Sequence, residues 1–324
     1  MLNVLVRSMA SLPVLASSSF QTFSNEQKKR IQETDVLVKV LGTAQDGGIP
    51  QLGCYCKNCL RAREQPGFAR LISSLGLFDL EEGSFFLLDA TPDIRDQCQA
   101  AHQRLDKEKS GTMNLPQGLL LTHAHIGHYT GLMFFGYESV SASGLPVYCS
   151  ERMKSFLANN GPWSQLVNLE NISLRTLSGE KNLSLTSRIS ITSFRVPHRD
   201  EYSDTLGFVI SGPKRNLLYI PDIQDWQTWK KSIEEEVKKV DFALLDGTFY
   251  GPEELPGRDL SRIGHPFIKT SVRLLIKTAK KGKTRIYFTH LNHSNLALDP
   301  ESSARKRIEA EGFGLAEEGM EFYL

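Results

Sequence analysis

Three histidines within six residues, in Thr122-His123-Ala124-His125-Ile126-Gly127-His128, are the densest chemical signal in this chain of 324 residues. Neutral imidazole is a favoured ligand for zinc, iron, copper and nickel. The run follows Gly118 to Leu121, a short apolar segment that reads as a strand buried on both faces. An extended exit from that strand points His123 and His125 the same way, and a turn at Gly127 redirects His128 to a neighbouring position. One loop cannot close a metal site by itself, but further ligand types recur in the same setting. His198 follows Phe194-Arg195-Val196-Pro197, Asp222 follows Leu217-Leu218-Tyr219-Ile220-Pro221, and His290 follows Ile286-Tyr287-Phe288-Thr289. As a set they add two histidines and a carboxylate able to bridge two ions.

A second cluster is Cys54-Tyr55-Cys56-Lys57-Asn58-Cys59, with C-x-C-x2-C spacing in a Gly- and Pro-rich loop. Closely spaced thiolates are good zinc ligands, and a redox or free-thiol cluster is the alternative. The chain has five cysteines, with Cys98 and Cys149 standing alone. An odd number in this arrangement is not a disulfide framework. It suits a reducing compartment or a metal-protected cluster.

The elements that must position these residues alternate along the chain. Strands are expected at Val36–Leu41, Ser84–Leu88, Gly118–Leu121, Leu145–Cys149, Ile189–Val196, Thr205–Ile210, Asn216–Ile220, Asp241–Leu245 and Thr284–Phe288. Helices are expected from Pro92 to about His102, and at Ser150–Ala158, Trp226–Val240, Pro266–Ala279 and Glu301–Ala310. Strands alternating with helices over almost the whole chain predict one α/β domain over residues 34–324. The reactive residues then sit at strand ends, where ligand sites of α/β folds gather. His102 is the exception; it falls inside a predicted helix and reads as structural.

Residues 1–33 are set apart as a tail or targeting segment. Met1 to Ser24 has no acidic residue, one arginine and six serines between Ser8 and Ser24, which suits a transit peptide, a poor secretory signal or a plain tail. The expected location is cytoplasmic, with export or an organelle as alternatives. No segment has the run of about 18 apolar residues that spans a bilayer. The formal charge of +1 gives no electrostatic case for nucleic acid or an anionic membrane, so the expected partner is a small-molecule substrate. Lys28-Lys29-Arg30 and Lys280-Lys281-Gly282-Lys283 read as solvated faces, and the oligomeric state is not legible.

Taken together, these residues resemble the metallo-β-lactamase superfamily, whose signature is H-x-H-x-D-H followed by distant His, Asp and His ligands. Within it the chain is similar to the pyrroloquinoline quinone biosynthesis protein B group. That likeness is carried by Gln45-Asp46-Gly47-Gly48-Ile49-Pro50-Gln51, Asp89-Ala90-Thr91-Pro92-Asp93-Ile94-Arg95, Leu245-Asp246-Gly247-Thr248 and Thr289 to Asn295. It also resembles the cyclic phosphodiesterases of phosphonate breakdown and, more distantly, the tRNA 3′-processing nucleases. The resemblance implies an αββα four-layer sandwich of two central mixed sheets flanked by helices. It implies a first metal held by His123, His125 and His198, a second held by His128 and His290, and Asp222 bridging them.

His265, in Arg262-Ile263-Gly264-His265-Pro266, resembles the non-ligand histidine that aids leaving-group departure, and imidazole suits a general acid. A histidine at a helix N-terminus beside Pro266 is its plainer reading. Asp89 resembles a buried aspartate that orients ligands without touching the metal. In the phosphodiesterase relatives a histidine three residues after the last catalytic ligand completes a structural zinc. Here that position is His293, joining Cys54, Cys56 and Cys59.

The departure is Gly127, which stands where the pattern has aspartate. With only His128, His290 and Asp222 left, the second site is expected to be weak, empty or occupied by another metal. The expected cofactors are one or two active-site ions, zinc with iron or manganese as alternatives, and one structural zinc. The leading expectation is a hydrolase of a small ester or phosphodiester acting through a metal-bound water. The alternatives are a non-haem iron oxygenase like the quinone-biosynthesis group, and a degenerate metabolite-binding protein. Arg199, in Pro197-His198-Arg199-Asp200-Glu201-Tyr202, could meet a substrate anion or pair with a neighbouring acid.

Overall fold

Apolar side chains at alternate positions of the strands set the layering. In the computed structural model, which describes residues 35–105 and 114–324, the first strand β1 (Val36–Gly42) is followed by β2 (Ser74–Asp79), β3 (Ser84–Leu88), β4 (Leu119–Leu120), β5 (Leu145–Cys149) and β6 (Ile172–Thr176). After these come β7 (Asn182–Ser184), β8 (Ser190–Val196), β9 (Thr205–Ser211), β10 (Asn216–Ile220), β11 (Phe242–Asp246), β12 (Arg285–Thr289), β13 (Gly314–Leu315) and β14 (Glu321–Tyr323). They form two seven-stranded sheets, ordered β14-β1-β2-β3-β4-β5-β6 and β13-β12-β11-β10-β9-β8-β7. In the first, the pairings from β14 to β3 are antiparallel and those from β3 to β6 parallel. The second mirrors it, parallel from β13 to β10 and antiparallel from β10 to β7.

Within β1 the period of two is explicit. Val36, Val38 and Val40 face a core that also takes Phe208, Leu217 and Leu244 of the opposite sheet. Leu37 and Leu41 face the other way, into a core with Ile94 and Cys98 of the helix Ile94–Leu105 and Met153 of the helix Glu151–Asn159. The outer face of the second sheet is covered by the helices Ile233–Val237, Ile268–Lys280 and Ser303–Ala310. This is the expected αββα sandwich. The tail at 1–33, with its basic run at 28–30, lies outside the described residues. Among those described, no helix is long and apolar enough to cross a membrane.

Two expectations fail for identifiable reasons. The helix expected over Trp226–Val240 is helical only at Ile233–Val237. Asp225 accepts from the amides of Gln227 and Thr228 at 2.8 and 2.7 Å, which folds the segment into a turn. Both indoles are then buried with partners: Trp226 Nε1 donates to Ser271 Oγ at 2.8 Å, and Trp229 Nε1 to the Arg195 carbonyl at 2.9 Å. Strand β2 is absent from the sequence reading because its serine and its central glycine dilute the β pattern. A Cβ on Gly76 would lie 2.6 Å from the Phe78 ring, so glycine is what lets that ring fold back over the strand.

Asp79, at the end of β2, is fully buried and pins one sheet to the other. It accepts from Thr186 Oγ1 at 2.8 Å and from Arg188 Nε at 3.2 Å, both in the turn before β8, and pairs with the Arg188 guanidinium through its second oxygen. Burial pushes this carboxyl up, but Arg188 outweighs it and holds it below the usual range. Arg188→Met should cost about 2 kcal/mol at pH 7, somewhat under a fully buried pair because the guanidinium reaches solvent. A depressed carboxylate stabilises the fold above its unfolded value and loses that contribution as pH falls through its folded one. The difference between variant and wild type should therefore shrink as pH is lowered, which urea unfolding across a pH series measures.

Candidate metal centre

The reactive residues emerge where β3, β4, β8, β10, β11 and β12 end. His123 leaves β4 through Thr122, whose carbonyl accepts from the Leu206 amide of β9 at 3.0 Å, so the two sheets meet at the site. His198 follows β8, Asp222 follows β10 and His290 follows β12. Asp89 and His290 have φ of 67° and 60°. Non-glycine residues rarely hold that left-handed region, and it aims both side chains inward.

Four of the predicted residues converge on one point. His123 Nε2 lies 2.8 Å from His125 Nδ1, which lies 3.3 Å from His198 Nε2. Asp222 reaches His123 Nε2 at 3.3 Å and His198 Nε2 at 3.2 Å. Donors bound at ~2.1 Å to one ion sit roughly 3.0–3.4 Å apart, so this set suits a single metal. The other nitrogen of His125, Nε2, faces Glu201 at 3.1 Å, and Arg199 pairs with Glu201 at 3.8 Å rather than standing free.

His128 and His290 form the adjoining position. Their Nε2 atoms lie 4.0 and 3.8 Å from Asp222 Oδ2. Both nitrogens and both Asp222 oxygens are buried with no hydrogen-bond partner among the described residues. Orphaned acceptors at this depth are costly unless something occupies the space between them, and a cation is the group that imidazole and carboxylate lone pairs can share. The carboxylate of Asp46, on the loop after β1, comes within 3.6 Å of His128 Nε2. The sequence reading did not use it as a ligand. The Asp46 carboxylate thus stands beside the position where Gly127 supplies none. Asp46 stood in a quoted motif, but its distance of 82 positions from His128 hid the approach.

Two matching supports hold the rings. Asp89 Oδ1 accepts from Thr122 N and Oγ1 at 2.8 and 2.9 Å, and Asp89 Oδ2 lies 2.7 Å from His128 Nδ1. The Thr122 hydroxyl is also 2.9 Å from His123 Nδ1. In the second sheet, Asp246 Oδ1 accepts from Thr248 N and Oγ1 at 2.9 and 2.8 Å, and Thr248 Oγ1 lies 3.0 Å from His290 Nδ1. Each hydroxyl spends its hydrogen on aspartate and so accepts from imidazole. That keeps the proton on Nδ1 and frees Nε2. Asp89 is buried against Thr122 and His128; Asp246 and Thr248 were quoted only as a motif, although Asp246, like Asp89, ends an apolar strand.

Burial holds His123 and His290 below the ordinary histidine range, favouring the neutral rings. For His128 burial opposes charge and Asp89 outweighs it, so the ring draws a positive charge, which a cation at Nε2 would supply in place of a second proton. His265 Nδ1 lies 2.9 Å from Asp246, 3.1 Å from Thr248 Oγ1 and 3.2 Å from Asp222. Burial opposes its charge too, but Asp246 and Asp222 push it up to about 10. With Nδ1 engaged as a donor to Asp246, His265 sits beside the ligand set.

Cys54 and Cys56 lie 3.3 and 3.4 Å from His293 Nδ1, and Cys59 Sγ accepts from the Gln51 amide at 3.3 Å. All four donor atoms fall within 4.8 Å of one another. The sequence placed them together, and the fold does so by docking the helix Lys57–Glu64 on the loop after β12, with Asn58 Nδ2 donating to the His293 carbonyl at 2.9 Å.

Residues 85–291 match the family model described as the β-lactamase superfamily domain. Coenzyme PQQ synthesis protein B of Nitrosococcus oceani is 28% identical over 321 residues, covering 89% of this chain and all of that one. The solved structure of Zn(2+)-bound PqqB from Methylobacterium extorquens superposes with a TM-score of 0.73 at 23% identity, over 89% of this chain and 100% of that one. A new diphosphatase from the PhnP family gives a TM-score of 0.64 at 20% identity, over 89% and 96%. At these identities the two structures speak for the fold alone.

If Cys54, Cys56, Cys59 and His293 share a structural zinc, Cys56→Ser should release one metal equivalent and cost about 2 kcal/mol or more of stability. Metal analysis with calorimetry checks this. An unchanged metal content would leave the cluster as plain thiols.

Proposed function

This chain belongs to the β-lactamase superfamily, and on that footing we propose that it is a metal-dependent hydrolase of a small ester or phosphodiester. The observation that carries this reading is the buried, partnerless lone pairs of His128, His290 and Asp222 beside the converging set of His123, His125 and His198. In this reading His123, His125 and His198 hold one ion, His128 and His290 a second, and Asp222 lies between. Zinc suits imidazole and carboxylate donors with an open position. A metal held there supplies Lewis acidity and a water ionised near neutral pH.

The chain's own residues supply the rest. Thr122 and Thr248, fixed by Asp89 and Asp246, keep protons off the ligating nitrogens. His265 keeps a proton beside the centre; its Nδ1 is committed to Asp246, so Nε2 is the nitrogen from which a leaving oxygen would be protonated. A cleft of about 590 Å³ adjoins Asp46 and is lined by Phe249, Glu254, Arg258 and Asn292 among others, room for a small substrate.

The near full-length similarity to coenzyme PQQ synthesis protein B favours a second reading, a role in quinone-cofactor synthesis, for which the family resemblance implies a non-haem iron oxygenase. Iron retained on anaerobic purification, with oxygen consumption, would select it; zinc with phosphodiester turnover selects hydrolysis.

For the hydrolase, His123→Ala should abolish turnover of bis(p-nitrophenyl) phosphate. His265→Gln should lower kcat on a phosphodiester with an alkyl leaving group by about 10²-fold or more, and much less when the leaving group is p-nitrophenolate, which departs without a proton. Equal losses on both substrates would remove His265 from the acid role. No turnover of any ester or phosphodiester by the metal-loaded protein would sink the hydrolase itself.

A further inference from the structure

Gly127 and Asp46 compete for one volume. A Cβ built on Gly127 would lie 2.3 Å from Asp46 Oδ1 and 2.8 Å from Asp46 Cα, so no side chain fits at 127 while Asp46 stands where it does. The Gly127 amide donates to that same Asp46 oxygen at 3.0 Å. Asp46 Oδ1 is 3.6 Å from His128 Nε2, too far for a hydrogen bond yet near the spacing of two donors around one ion. The donor atoms of Asp46, His128 and His290 all lie within 4.8 Å of one another, and the two Nε2 atoms are buried without a partner. Asp46 itself is largely buried, and its second oxygen accepts from Gln45 Nε2 at 3.3 Å.

We propose that Asp46 is a ligand of the second metal ion, replacing from the loop after β1 the carboxylate that the histidine run lacks at Gly127. The assignment rests on the two-ion reading above and deepens it. The exchange is sterically coherent: glycine at 127 makes the room and supplies the amide that orients the incoming carboxylate. It also changes which parts of the fold carry the second ion. The Gln45 amide donates to the Leu291 carbonyl at 2.9 Å, and the Leu291 amide to the Thr43 carbonyl at 2.7 Å. Asp46 and His290 therefore ride on two directly bridged segments, which Cys54, Cys56, Cys59 and His293 tie together further along. The first position, built from the loops after β4 and β8, does not use that pair.

The test uses the full chain equilibrated with buffered zinc, counting bound zinc by mass spectrometry and measuring affinities by chelator competition. Wild type should bind three equivalents: the cysteine site and both active-site positions. Asp46→Asn, nearly isosteric, should weaken one equivalent by about tenfold or more and leave the other two, because losing a ligand costs at least as much as losing a ligand's supporting partner. Gly127→Asp alone should lose metal or stability through the clash. Three equivalents of unchanged affinity in Asp46→Asn would overturn the assignment. Two equivalents in wild type that Cys56→Ser reduces to one would overturn it while leaving the first position intact. A single equivalent that Cys56→Ser abolishes would remove the metal-centre reading as well.

Discussion

The buried carboxylate of Asp222 is the constraint around which the rest of the molecule is arranged. It is 1% exposed and follows a strand whose residues are wholly apolar from Leu217 to Ile220. Five imidazoles lie within 4.0 Å of its oxygens: His123, His128, His198, His265 and His290. Burial alone would push its carboxyl up, but the neighbouring histidines, His198 and His265 foremost, outweigh burial and hold it well below the ordinary range. Burying an uncompensated carboxylate costs several kcal/mol, so the sheets can close over Asp222 only if positive charge collects around it. Protonated imidazole supplies part of that charge, and a bound cation shared with neutral rings supplies it while satisfying the oxygens directly.

The two sheets meet this requirement in the same way. Each has three antiparallel and three parallel pairings, and each ends a central parallel strand in aspartate, Asp89 after β3 and Asp246 at the end of β11. Each aspartate takes the hydrogen of one threonine hydroxyl, Thr122 or Thr248, which then faces a histidine Nδ1. Parallel strands bring their C-terminal ends to one edge, so the repeated device delivers Nε2 lone pairs from both halves to one seam. The left-handed backbone at Asp89 and His290 fits this account: strain accumulates where chain direction must turn a ligand inward against local preference.

Much of this was legible along the chain because the signals are local. The histidine run, the apolar strands ending in His198, Asp222 and His290, and the cysteine spacing are short-range patterns, and the strands found by alternation set the α/β layering. What was lost had weak local signal or a non-local cause. Strand β2 hid behind Gly76, needed for the Phe78 ring, and the Trp226–Val240 segment gave up helix for two buried indole hydrogen bonds that only the neighbouring β8 and the helix Ile268–Lys280 provide. Asp246 and Thr248 were visible as residues but not as supports, since their partners lie at His265 and His290.

The sequence by itself determined which side chains with metal-binding chemistry end which strands, and that the fold is an α/β sandwich, because strand periodicity and ligand type are written in adjacent residues. Tertiary structure gathered those ligands into two groups, the division that the family resemblance implied. It also brought a carboxylate from position 46 into the space that Gly127 leaves open. The reason is steric and long-range: a glycine read in isolation is a missing aspartate, whereas the folded chain shows that the missing side chain would collide with one already there.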